Sequence, residues 1–111
     1  MATTKKQRQQ AALRRRESNI RAVMESKAGR GFVWTVLHDA GVWSRSFTGE
    51  ALGTAHAEGA RSVGLRLMEE TQRVARVHYV DMVAEAIAAE RDELAARETE
   101  AAESVPEDSE S

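Results

Sequence analysis

Residues 29–67 read GRGFVWTVLHDAGVWSRSFTGEALGTAHAEGARSVGLRL, and this stretch decides the fold. It holds four of the five aromatics and all seven glycines, so the densest apolar pattern and the main chain-breakers lie together. The pattern predicts two short core helices joined by an aromatic-anchored turn. The first is expected over about Phe32–Ala40, where Val33, Val36, Leu37 and Ala40 share one face and Phe32 and Trp34 widen it. So wide an arc on a short helix suggests burial on several sides. Gly41 fits a helix C-terminus, because a left-handed residue there costs glycine little. Trp43 and Phe47 sit in a polar loop, where aromatics normally pin the chain to the core. The sharper reading makes them an exposed hot spot for a partner.

Thr54 is the expected N-cap of the next helix, about Ala55–Gln72. Its predicted inward face is Ala60, Val63, Gly64, Leu67, Met68 and Thr71. Gly59 and Gly64 each cost about 1 kcal/mol relative to Ala inside a helix, which implies close approach of another backbone. Glu58 and Arg61 are spaced for an i, i+3 pair worth a few tenths of a kcal/mol.

Upstream, residues 5–28 are rich in strong helix formers, with Thr3 or Thr4 to cap them. Ile20, Val23 and Met24 form a docking stripe on the second half, while the first half should project. Gly29-Arg30-Gly31 is read as the break that follows. Downstream, Arg73–Val77 contains no breaker, so the third helix either continues or turns there. A fourth is expected at about His78–Arg97, with Val80, Val83, Ala84 and Ile87 as its stripe. Residues 98–111 are acidic and contain the one proline, which reads as a disordered tail. The expected organisation is a basic helix over 1–28, a helical core over 29–97 and that tail. The fold class is all-α, a small bundle of three to four helices with a projecting basic N-terminal helix.

Composition narrows the function. The 111 residues allow one small domain, with an Ala/Val/Leu core given only 5% aromatics, and oligomerisation would supplement so weak a core. With no cysteine there is no disulfide or thiolate metal site. No stretch has the length of a secretory h-region or a membrane span, and a soluble, cytosolic protein is the default expectation. The net charge of −2 hides a gradient: residues 1–30 carry nine Lys/Arg against two Glu, and residues 81–111 two Arg against eleven Asp/Glu.

No catalytic, cofactor or metal constellation emerges. His38, His56 and His78 fall on three different segments, without an HExxH or a calcium-loop pattern. Residues 59–65, GARSVGL, echo a phosphate loop only in glycine spacing; Leu65 and Arg66 stand where Lys and Ser/Thr are required. Ser62 has no nucleophile elbow around it. Glu69 and Glu70 are adjacent on a helix and do not converge. The basic segment, Lys5, Lys6, Arg8, Arg14, Arg15 and Arg16, could neutralise phosphates in salt-sensitive nucleic-acid binding. It lacks aromatics for stacking, and pairing with the acidic C-terminal segment of the same or a neighbouring chain is favoured instead.

The central stretch resembles a family of small tailed-bacteriophage proteins, the Bordetella phage Bbp-nineteen-like domain. The resemblance rests on Gly29-Arg30, Trp34, Leu37, Gly41-Val42 and Ser46-Phe47. It continues through Ala55, Glu58-Gly59, Arg61, Gly64-Leu65 and Leu67 to Tyr79, Met82 and Glu85. It covers roughly residues 29–85. Ala60 replaces an expected basic residue, His56 an expected aromatic, and no proline divides the third and fourth helices. The resemblance implies a phage-encoded helical protein of particle assembly, located in the virion or the host cytoplasm. Its partners would be phage structural proteins or further copies of itself. The motif residues expected to pack or to meet a partner are Arg30, Trp34, Trp43, Phe47, Glu58, Gly59, Arg61 and Gly64. A nucleic-acid-binding accessory protein and an inhibitor of a host protein are the alternatives, and an enzyme is the least expected class.

Overall fold

A computed structural model describes residues 2–44 and 51–104. The protein is all-α, with four helices: α1 (Lys5–Glu25), α2 (Lys27–Asp39), α3 (Ala51–Val74) and α4 (Arg76–Glu103). Phe47 and the loop around it lie outside the described residues, as do residues 105–111 of the predicted tail. Thr4 is the N-cap of α1, and its capping box with Gln7 satisfies donors at both ends of the first turn.

Three helix boundaries differ from the sequence reading. The first break falls at Ser26, not at Gly29–Gly31, so both glycines lie inside α2. Ser26 is extended (φ −98°, ψ 146°) and serves as C-cap of α1 and N-cap of α2 at once. Its hydroxyl accepts from the Gly29 N–H at 2.9 Å and reaches the Val23 carbonyl at 3.4 Å. A Cβ on Gly29 would overlap that same carbonyl oxygen, so this glycine permits the tight corner instead of breaking the helix. α3 already includes Thr54, which is therefore not its N-cap. The third and fourth helices are separate: Ala75 (φ −137°, ψ 54°) turns the chain, and α4 runs to Glu103, six residues past the expected end.

The C-terminus of α2 is a Schellman turn. Gly41 takes φ 75°, its N–H donates to the His38 carbonyl, and the Val42 N–H donates to the Leu37 carbonyl. Val42 and Leu37 are both buried, which supplies the apolar contact of that motif. Gly64 of α3 seats directly against this turn. A Cβ there would stand 2.7 Å from the Ala40 Cβ and from Val42 Cγ2. Close approach is thus real at Gly64, whereas at Gly59 nothing among the described residues lies within 4 Å.

Met24, Val33, Leu37, Val42, Ala75 and Met82 form the buried core, flanked by Ile20, Trp34, Leu67, Met68 and Tyr79 among others. The inward faces of α3 and α4 are rotated from the predicted ones. Gly64 and Thr71 are buried on α3, but Val63 is 67% exposed. On α4 the buried residue is Met82, while Val80 is 61% exposed. Phe32 is 68% exposed, so α2 is not enclosed on all sides. The molecule is long and thin, 88 × 39 × 16 Å, with a radius of gyration of 20.9 Å. A compact chain of this length would have about 13 Å.

Candidate interaction surface

Arg30 is the joint of the structure. It lies on the first turns of α2, where the Ser26 corner aims it across the end of α1. Its Nη1 donates to the Met24 and Glu25 carbonyls, two acceptors that the end of α1 leaves without helical donors. Its Nε and Nη2 reach the Glu85 carboxylate of α4 at 2.9 and 2.8 Å. One planar guanidinium therefore ties α1, α2 and α4 together. Its hydrogen bond holds the Glu85 carboxyl below its ordinary pKa, against desolvation. A second bidentate pair, Arg16 to Glu70 (2.7 Å for Nη2–Oε1), locks α1 to α3 and lowers the Glu70 pKa in the same way. Arg73 to Glu17 at 3.1 Å reinforces that seam.

The other motif residues scatter. Trp34 stacks on Trp43 with ring centroids 4.6 Å apart and planes tilted by 31°. Trp43 is thereby anchored, yet half of it faces solvent. Glu58 and Gly59 are exposed on α3. Among the described residues no ion pair joins Glu58 to Arg61, and the Arg61 Nε is buried without a hydrogen-bond partner. Gly64 is a packing residue. These residues do not converge on one reaction centre.

What the sequence reading missed is an open groove of about 520 Å³ between α1, α2 and α3. Ile20, Val23, Met24, Val33, Val36 and Leu67 give it apolar walls; Phe32 stands at its edge, and Arg15, Arg16 and Asn19 rim it. Val23 belongs by spacing to the docking stripe of α1, yet it is 42% exposed, in this groove. On the side of α4 turned from the core, Val77, Val80, Ile87 and Leu94 are also exposed. With exposed Ala84 they run at spacings of three, four, three and seven, an apolar seam on a helix.

The basic residues of α1 do not meet the acidic half of α4. Among the described residues no ion pair links Lys5–Arg16 to any residue beyond Glu70, so of the expected pairing with the acidic segment of the same or a neighbouring chain, the described residues show none within the chain. The physical reason is direction: every residue from Ile87 to Ser104 is exposed, because α4 leaves the core and runs away from it.

The family model of the Bbp19-like phage proteins matches residues 20–84. The chain belongs to this family. The match begins in the docking half of α1 and ends one residue before Glu85, so it spans both corners and the core. As a Bbp19-like phage protein, the chain carries the family's region on α1–α4 and adds charged arms at either end. No curated protein and no solved structure matches it. Among the described residues no helix is long and apolar enough to cross a membrane.

Proposed function

We propose that this Bbp19-like protein is a non-enzymatic structural or assembly protein of the phage particle, acting through protein–protein contacts. The observation that carries the reading is unburied surface. The chain exposes 8854 Å², whereas a compact monomer of its mass exposes about 6,100 Å². Part of the excess is the apolar groove and the α4 seam, and contiguous apolar surface of that kind marks sites where proteins meet. Mass spectrometry of purified particles and of assembly intermediates tests it. The protein is expected in one or both, and its absence from all of them overturns the proposal.

A second reading has its own support. Lys5, Lys6, Arg14 and Arg15 are exposed on α1 and form no ion pair among the described residues. Such a surface suits sequence-independent contact with phosphates. A gel-shift series at rising salt decides: binding that fades with salt supports an accessory nucleic-acid role, and no shift at low salt ends it.

A further inference from the structure

We infer that the groove between α1, α2 and α3 receives the distal half of α4 from a second copy of this chain. Three observations point to the same occupant. The distal half of α4 is a helix without a partner: residues 87–104 are all exposed, including Ile87 and Leu94. A helix of that length is marginal alone in water and gains its stability from a packed face. Among the described residues no element covers the groove, and it is long enough, since its α1 wall runs from Ala12 to Met24. At 1.5 Å per residue that wall is about 18 Å, against about 10 Å between Ile87 and Leu94.

Charge selects the direction. Lys5, Arg8 and Arg15 continue the row of Ala12 and Asn19 along α1 at three- and four-residue spacing, so the basic residues extend the groove toward the N-terminus. Three glutamates of α4, Glu98, Glu100 and Glu103, lie beyond Leu94 toward its C-terminus, while Glu90, Asp92 and Glu93 fall between Ile87 and Leu94. An incoming α4 laid antiparallel to α1 puts Ile87 and Leu94 on the apolar walls and the glutamates beside Arg15, Arg8 and Lys5. It also sets the negative C-terminal end of one helix against the positive N-terminal end of the other. Within one chain α4 cannot fold back to this place, because Arg30 and Glu85 fix its course out of the core. The attraction between the basic and acidic ends is thus satisfied between copies.

The inference rests on the protein–protein reading only in taking the groove as a contact surface; it does not require the protein to be in the particle. The chain has no cysteine, which makes cross-linking clean. The test mixes full-length Val23→Cys with differently tagged full-length Ile87→Cys under mild oxidation, since the antiparallel register that sets the glutamates beside Arg15, Arg8 and Lys5 brings Ile87 opposite Val23. A disulfide between the two variants is expected, and it should weaken as salt rises. In sedimentation, L94E should weaken self-association by at least about tenfold, because it would place a charge among apolar walls. Leu94 is exposed beyond the core, so circular dichroism should show the four-helix domain still folded. Cross-links only between Ile87→Cys chains would place α4 against α4 and overturn the proposal, as would a monomer at low salt and high concentration. Absence from virions together with a Val23–Ile87 cross-link would defeat the functional reading and leave this one standing.

Discussion

Single atoms at the glycines separate two kinds of position. Gly29 lies against the Val23 carbonyl and Gly64 against Ala40 and Val42, so a methyl group has no room at either. Gly29→Ala and Gly64→Ala are each expected to destabilise by about 2 kcal/mol or more, since a core that is overfilled must shift. At Gly31 and Gly59 no described residue comes within 4 Å of an added Cβ, and the backbone is helical. G31A and G59A should each stabilise by about 0.5–1 kcal/mol, the difference in helix propensity. Urea titration of the four variants checks both signs together. The two bidentate pairs make a pH prediction. Glu70 and Glu85 have folded pKa values lowered by their arginine hydrogen bonds, against a desolvation that raises them. A carboxylate depressed in the folded state contributes stability above its unfolded value, near 4.3, and loses it as pH falls through the folded value. The urea midpoint should therefore drop below about pH 4.3. In E70Q/E85Q the midpoint is lower at neutral pH and that acid-dependent drop is shallower.

Corners, not helix interiors, define the elements. Ser26 caps α2 with its hydroxyl, and Ser26→Ala should cost about 1 kcal/mol in urea, with Ser26→Asn or Asp retaining most of it. The free half of α4 gives the opposite expectation. Removing residues 91–111 should leave the monomer's unfolding free energy within about 0.5 kcal/mol while lowering its helical ellipticity, because residues 91–104 are all exposed. Much of this architecture was legible in the sequence. Gly41 marks the end of α2, Leu37 and Met24 mark the core, and the breakless Arg73–Val77 segment allows the turn that Ala75 makes. Gly29 and Gly31 misled because propensity describes an isolated helix, whereas at Gly29 the nearby Val23 carbonyl decides. The serine three residues before Gly29 carried the usable signal. On α3 and α4 the periodicity was real, but it belonged in part to the outward row. Val80 and Ile87 are more apolar by type than Ala75 or Ala86, and a helix with two apolar faces does not reveal by spacing alone which one its own chain covers. The groove escaped notice for a related reason: it exists only where α1, α2 and α3 fail to close over Val23.

At the scale of the whole molecule, shape follows from how little is enclosed. A core centred on Met24, Leu37 and Met82 holds the middle, and the helices extend beyond it in both directions. Small-angle scattering of dilute protein in high salt should give a radius of gyration near 20.9 Å. A value near the 13 Å or so of a compact chain would mean that the arms fold back. The Arg30–Glu85 contact has a mechanical meaning in this shape. Glu85 stands about 27 Å from the far end of α4 and about 14 Å from its near end, at 1.5 Å per residue. The helix is a lever with its fulcrum at that ion pair. A sideways pull on Glu103 by whatever binds there reaches Arg76 reversed in direction and roughly doubled in force, by the ratio of those arms. The load falls on the Ala75 corner, where α3 meets α4, and the guanidinium that forms the pivot also grips the last carbonyls of α1. Binding at the tip would be felt at both corners of the fold.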